Sequence, residues 1–277
     1  METIGLKTEL DTRSLDLRRD ILLTLRAAQR GHLGSAFSLV EIIRVLFDDI
    51  LHYDANNPEW EDRDRFILSK GHGCLALYAL LADKGFIPRS ELWSFCQSGG
   101  ILGGHPDHKV PGVEASTGSL GHGLSIGLGF ALSARMAGRD TKTVVILGDG
   151  ECNEGSVWEA AMSAGKHGLD SLTVLVDYNK HQSYGATSVV QDLEPFSDKW
   201  TAFGFNTREV DGHDIHELRA TLSSLPYEEG KPNAIICHTV KGKGIPQCEN
   251  DLAWHHKSKI SSEDIDTLMN DLGVSHA

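Results

Sequence analysis

Leu15, Leu17, Ile21, Leu22, Leu25 and Ala28 recur at helical spacing, with Arg18, Arg19 and Arg26 on the turns between them. That is the pattern of an amphipathic helix laid on a core. A second helix is expected from Ser38 as N-cap, with Glu41 three residues later completing a capping box. Residues 65–68 form a short apolar run, and 71–84 read as helix. From residue 123 onward, helices and strands alternate. Helix 123–137 precedes an apolar strand at 143–147, and helix 157–167 precedes a second at 172–176. A helix near 195–203, a strand near 205–210, a helix at 214–225 and a strand at 234–237 continue the series, and residues 260–277 read as a polar helical tail. Wholly apolar strands separated by helices, without hairpin turns, imply an α/β fold: a mostly parallel sheet with helices on both faces.

Between residues 99 and 123 Gly, His, Pro and Ser dominate. A structured loop of that length inside a compact domain usually serves function. The whole chain has 277 residues, 40% hydrophobic and 23% charged, which is the composition of a folded protein rather than a disordered one. Its 26 Lys and Arg against 39 Asp and Glu leave a net charge of −13, which argues against nucleic acid as a general partner. Five scattered cysteines without a C-x-x-C pair read as reduced thiols. The first twenty residues carry charges throughout, and the longest charge-free stretch, 115–134, is rich in Gly and Ser. The expectation is a cytoplasmic protein with neither membrane nor nucleic-acid partner.

In parallel sheets, ligands sit at the carboxyl ends of the strands. Here one strand ends in Gly148-Asp149-Gly150 and another in Asp177-Tyr178-Asn179. A carboxylate and an amide oxygen on neighbouring strand tips suit Mg²⁺ or Ca²⁺, with phosphate oxygens and water completing the shell. Gly150 lets backbone approach such phosphates, and the helix that follows points its N-terminal N–H groups at them. Taken alone, a Gly-Asp-Gly is also an ordinary strand-to-helix turn. The fourteen histidines include His32, His72, His105 and His122 in Gly-His dipeptides, where glycine lets backbone and imidazole crowd a ligand.

The motifs Gly31-His-Leu-Gly-Ser35, Ser69-Lys-Gly-His72, Gly104-His-Pro-Asp107, Thr117-Gly-Ser-Leu-Gly121, Gly148-Asp-Gly-x-x-x-Glu-Gly155, Asp177-x-Asn179, Lys241-Gly-Lys-Gly244 and Trp254-His255 occur in one order. In that order they resemble the N-terminal, diphosphate-binding half of transketolase, from about Leu15 to Lys259. The resemblance implies the thiamine diphosphate-binding fold, thiamine diphosphate and a divalent metal, Mg²⁺ or Ca²⁺. It implies that Asp149, Asn179 and the backbone carbonyl of His181 hold the metal. It puts Gly150, His72, Lys241 and His255 at the diphosphate, with Lys70 nearby, and Gly118 and Leu120 along the aminopyrimidine. Ser35 and Ser119 belong to the same cofactor-binding set. Glu154 is expected behind the metal-binding turn, ordering it. His32, His105 and His255 are expected above the thiazolium, as catalytic groups that bind a ketol's hydroxyls and relay protons. The family commonly has Pro at Leu33, Gln at His122, an aliphatic residue at His181 and Gly at His256, so His122 and His256 add polar groups near the cofactor.

The resemblance also implies what this chain does not carry. Residues 1–277 read as a single diphosphate-binding domain, with the polar tail at 260–277 and without the pyrimidine-binding and C-terminal domains. The glutamate that activates the aminopyrimidine lies in that missing part. The expected protein is therefore the thiamine diphosphate-binding subunit of a split transketolase. It would move a two-carbon ketol unit from a ketose to an aldose, together with a C-terminal subunit in a heterotetramer. The alternative is a subunit of another thiamine diphosphate-dependent C–C lyase, ligase or acyl transferase of specialised metabolism.

Overall fold

A computed structural model describes residues 8–254, 257 and 259–275. Helix α1 (Thr12–Ala28) opens the chain, capped by Asp11, whose side chain accepts from the N–H of Ser14. Helices α2 (Leu33–Phe37), α3 (Val40–Val45) and α4 (Cys74–Asp83) are buried almost throughout. Strands β1 (Arg65–Leu68), β2 (Thr143–Gly148) and β3 (Leu172–Tyr178) are separated by α5 (Gly123–Met136) and α6 (Gly155–His167). A two-residue-stranded hairpin, β4 (His181–Gln182) and β5 (Gly185–Ala186), follows, then α7 (Thr187–Val190), α8 (Phe196–Ala202) and β6 (Asn206–Asp211). Helix α9 (Ile215–Ser223), β7 (Asn233–His238) and α10 (Ser262–Leu272) complete the order.

The main sheet runs β1-β2-β3-β7-β6, every pairing parallel. Its side chains alternate between two cores, as strand geometry requires. Val144 and Ile146 of β2 face the core shared with α1, α3, α4 and α10, while Val145 and Leu147 face the one shared with α6 and α8. This is the expected α/β sheet with helices on both faces. No described helix is long and apolar enough to cross a membrane.

Two local expectations are corrected. Ser38 does not cap a helix: α3 begins at Val40 without a side-chain cap, and Ser38 Oγ donates instead to Asp177 Oδ2 across the fold at 2.6 Å. Glu41 turns inward to the buried guanidinium of Arg18 (2.5 and 2.9 Å) and to His213 Nδ1 (2.8 Å). The tail is not merely polar either. Ser261 and Asp264 form a capping box at the start of α10, which buries Ile265, Leu268, Met269 and Leu272 in the first core. Each such side chain is worth roughly 1.5–3 kcal/mol.

Candidate active site

Four neighbouring strand tips point one way. Lys70 and His72 follow β1, Asp149 and Gly150 follow β2, Asn179 and His181 follow β3, and Lys241 follows β7. The β2–β3 register pairs Gly148 with Asp177, which brings Asp149 and Asn179 out side by side. Together with Leu120, these seven residues line one small cavity.

Beneath the cavity lies a buried charge hub. Lys70 Nζ donates to Asp177 Oδ2 and, at 3.4 Å, to the carbonyl of Ser35. Asp177 also accepts from Ser38 Oγ, from Thr239 Oγ1, and from Asn179 Nδ2 at 3.2 Å. One carboxylate thus ties α2, β1, β3 and the segment after β7 into a single floor. These bonds to Lys70 and the hydroxyls hold its carboxyl below the ordinary range despite complete burial.

Asp149 is in the opposite condition. It is 2% exposed, accepts from the N–H of Gly150 (2.7 Å) and of Lys180 (2.5 Å), and has no ion-pair partner among the described residues. Burial, reinforced by Asp177, pushes its carboxyl up. Lys241, equally buried, is pulled down by burial and by Lys70, and its Nζ lies 3.3 Å from the backbone carbonyl of His181. A buried carboxylate short of positive charge beside an amide and a backbone carbonyl is a donor set for a hard divalent cation. No described cluster of three His, Cys, Asp or Glu side chains could hold a metal, which leaves this mixed oxygen set as the candidate cation donors. Among the described residues, Ser35 Oγ in the floor and Gln182 Nε2 at the cavity are buried without a hydrogen-bond partner.

Close backbone packing shapes the cradle. A Cβ on Gly150 would come within 2.8 Å of Gln182 Cβ, and one on Gly71 within 2.8 Å of the backbone N of Gly118. Gly118, at φ +136°, lies against the His105 ring, whose Cδ2 would be 2.7 Å from an added Cβ. The long loop expected at 99–123 is held by Tyr78, whose hydroxyl donates to the carbonyls of Gly103 (3.1 Å) and His105 (2.8 Å), and by Thr117 Oγ1, which donates to Leu68 (2.7 Å).

A larger cleft of about 550 Å³ adjoins the cavity, and His72 lines both. His32 and His105 line the cleft, and the His32 and His72 rings meet edge-on at 5.6 Å between centroids. Burial, with His32 facing it, lowers the pKa of His105. Ser119 is exposed at the rim beside His122, whose Nδ1 lies 3.1 Å from the carbonyl of Leu120. His181 Nδ1 is 2.9 Å from the carbonyl of Asn179. His255 and His256 lie outside the described residues.

Glu154, expected behind the turn after β2, makes no side-chain hydrogen bond or ion pair to that turn among the described residues. It is exposed at the start of α6, with no side-chain cap bond. Glu151 occupies that place: buried, it accepts from Ser69 Oγ (2.5 Å) and from the N–H groups of Gly121 (2.9 Å) and Gly148 (3.1 Å). It clamps the turn to the 117–123 loop. Motif spacing points to Glu154, because glycine follows it. Glu151 carries no pattern of its own, being one of two acidic residues in a tight turn. Asp177 is legible as more than motif context: a carboxylate in a strand apolar on both faces must be paired.

The profile of the transketolase, thiamine diphosphate binding domain matches residues 17–277. The chain belongs to this family. It is 41% identical over 256 residues to an apulose-4-phosphate transketolase subunit of Phocaeicola vulgatus, covering 92% of this chain and 89% of that one. It is 42% identical over 234 residues to the 6-deoxy-6-sulfo-D-fructose transketolase subunit SqwG of a Clostridium species, covering 84% and 85%. Solved transketolases superpose closely. A variant from Pichia stipitis matches with TM-score 0.89 at 29% identity, over 97% of this chain and 41% of its own, and the Leishmania mexicana enzyme with 0.87 at 31%, over 96% and 42%. The chain thus spans about two fifths of the length of those enzymes. It is a transketolase-type N-terminal subunit carrying a thiamine diphosphate-binding domain.

Proposed function

We propose that this chain is the thiamine diphosphate- and Mg²⁺-binding component of a two-component transketolase that moves a two-carbon ketol unit from a ketose to an aldose. One observation carries the reading: four adjacent parallel strand tips deliver Asp149, Asn179, His181, Lys241 and His72 to a single cavity. When bound, thiamine diphosphate supplies the carbanion nucleophile and the electron sink for C–C cleavage. Asp149, Asn179 and the His181 carbonyl would hold the cation. Lys241, His72 and the backbone of Gly150 would hold the diphosphate, over the Lys70–Asp177 floor with Ser35 beside it. Gly118 and Leu120 would flank the aminopyrimidine, with Ser119 at the rim. His32 and His105, and His255 by its place in the motif, would bind the sugar hydroxyls and exchange protons with them. The lowered pKa of His105 keeps its imidazole neutral and able to accept a proton near neutral pH. Glu151, rather than Glu154, orders the turn.

The partner would be a chain carrying the pyrimidine-binding domain, in a heterotetramer. Supporting this, α5 and α6 expose Gly129, Met136 and Met162, and the β4–β5 hairpin and α7 next to the cavity expose Tyr184 and Val189. Exposed apolar side chains of this kind are what a partner chain would cover. Two relatives are named for sugars bearing a phosphate or a sulfonate, and small sugars of that kind are the substrates we assign. The test is to co-purify the chain with the product of its neighbouring reading frame and assay two-carbon transfer between a ketose and an aldose. Cofactor- and cation-dependent transfer is the expected result, and transfer independent of both would overturn the reading.

A further inference from the structure

The 550 Å³ cleft has a polarity that the catalytic histidines do not account for. His72 marks the end next to the cofactor cavity, because it lines both spaces. Arg30 and Lys257 line only the larger one, and among the described residues no carboxylate lines it, in a chain of net charge −13. Two features bring these cations together. Helix α1 ends at Gln29 in the left-handed conformation (φ 55°), so the chain turns sharply and carries Arg30 and Gly31 onto the cleft wall. The carbonyl of the same Gln29 accepts from the N–H of Ile260 at 2.9 Å, which fastens the segment bearing Lys257 beside that turn. Arg30 is exposed and makes no hydrogen bond or ion pair among the described residues. Lys257 is braced, its Nζ 3.8 Å from the centre of the Trp254 ring and 3.6 Å from Asp264 Oδ1. A guanidinium held open in a cleft whose described lining holds no carboxylate suits a tetrahedral oxyanion, which it can grip with two parallel N–H groups, with an ammonium adding a point charge.

We propose that Arg30, assisted by Lys257, binds the terminal phosphate or sulfonate of the sugar substrate, so that this subunit itself selects anionic over neutral sugars. The inference rests on the transketolase reading above. A sugar whose reacting carbons lie near His72 and His105 would place its far end at these two cations.

The experiment uses the chain assembled with its partner, comparing wild type with Arg30→Gln, Lys257→Gln and Arg30→Lys. Acceptor aldoses are paired: a phosphorylated, a sulfonated and an uncharged member of the same length. Arg30→Gln is expected to raise KM for the anionic acceptors about tenfold, the loss of one charge-assisted contact, with kcat nearly kept and the uncharged acceptor unaffected. Lys257→Gln should act in the same direction more weakly, and Arg30→Lys should restore part of the difference. The larger loss between phosphate and sulfonate identifies which anion the site is shaped for. Equal changes for charged and uncharged acceptors, or none, overturn the proposal. Binding of the non-reacting anion glycerol 3-phosphate to the same complexes gives an independent arm. An assembly that transfers nothing contradicts the functional reading alone. Weaker glycerol 3-phosphate binding in Arg30→Gln would still support the anion site, and unchanged binding would overturn it.

Discussion

Lys70 and Asp177 form an ion pair, 2% and 0% exposed, directly beneath the cavity where four strand tips converge. Because Asp177 also takes hydroxyls from Ser38 and Thr239, the pair is a structural floor as much as a neighbour of the diphosphate. Removing one member of a buried pair strands the other and costs about 3–5 kcal/mol. Lys70→Met should therefore lower unfolding free energy by that amount in denaturant titration, before any cofactor is added. A loss below about 1 kcal/mol would mean that water reaches the pair.

Asp149 is different, because the chain alone leaves its charge poorly compensated. Asp149→Asn should abolish the cation dependence of thiamine diphosphate binding, measured calorimetrically in Mg²⁺ and in chelator. It should leave the thermal midpoint of the cofactor-free protein unchanged or higher, since the variant no longer buries an unpaired charge. Wild-type, cation-dependent affinity in this variant would remove Asp149 from the metal site.

The two glutamates after Asp149 should separate cleanly. Glu151→Ala leaves Ser69 Oγ and the N–H groups of Gly121 and Gly148 without their acceptor, at about 1–3 kcal/mol for each donor left buried. Glu154→Ala, at an exposed position, should stay within about 0.5 kcal/mol. Urea unfolding of both variants decides it; a reversed order would return the ordering role to Glu154.

Glu41, locked to Arg18 and His213, sets an acid limit on stability. Arg18 and His213 outweigh its complete burial and hold its carboxyl far below the ordinary 4.5. A depressed folded-state pKa gives stability that is fully present above about pH 4.5 and lost as pH falls toward the folded value. Glu41→Gln should thus cost about 3 kcal/mol at pH 7, and the gap to wild type should narrow steadily below about pH 4.5. A gap independent of pH would show that the pair's charge contributes nothing.

His105 should matter to turnover and little to fold. His105→Ala is expected to reduce kcat of the assembled enzyme by about 10² to 10⁴, with the thermal midpoint nearly unchanged. Near-native turnover on every donor accepted would make it a wall of the cleft only.

The sheet was legible because β2 and β3 are apolar on both faces, a pattern that only a covered parallel strand explains. The cavity residues were legible because motifs fix them at strand ends, where ligands gather. What periodicity could not reach was long-range pairing. Ser38 looks like a cap in sequence, yet it answers a carboxylate 139 positions away. Residues 260–277 look polar because α10 carries its apolar side chains on one narrow face, whose burial depends on where α1 lies. The cations of the cleft, Arg30 and Lys257, are far apart in sequence and line one cleft only because α10 packs back on α1, with the Gln29–Ile260 bond fastening the two segments there.

As proposed above, this chain holds the cofactor's diphosphate and metal but transfers a ketol unit only with a partner. The most direct measurement is two-carbon transfer from a ketose to an aldose by the purified chain, by its partner, and by the two together, each with saturating thiamine diphosphate and Mg²⁺. Turnover by the pair and none by either chain alone is the expected result. Turnover by this chain alone at the level of the pair would contradict it.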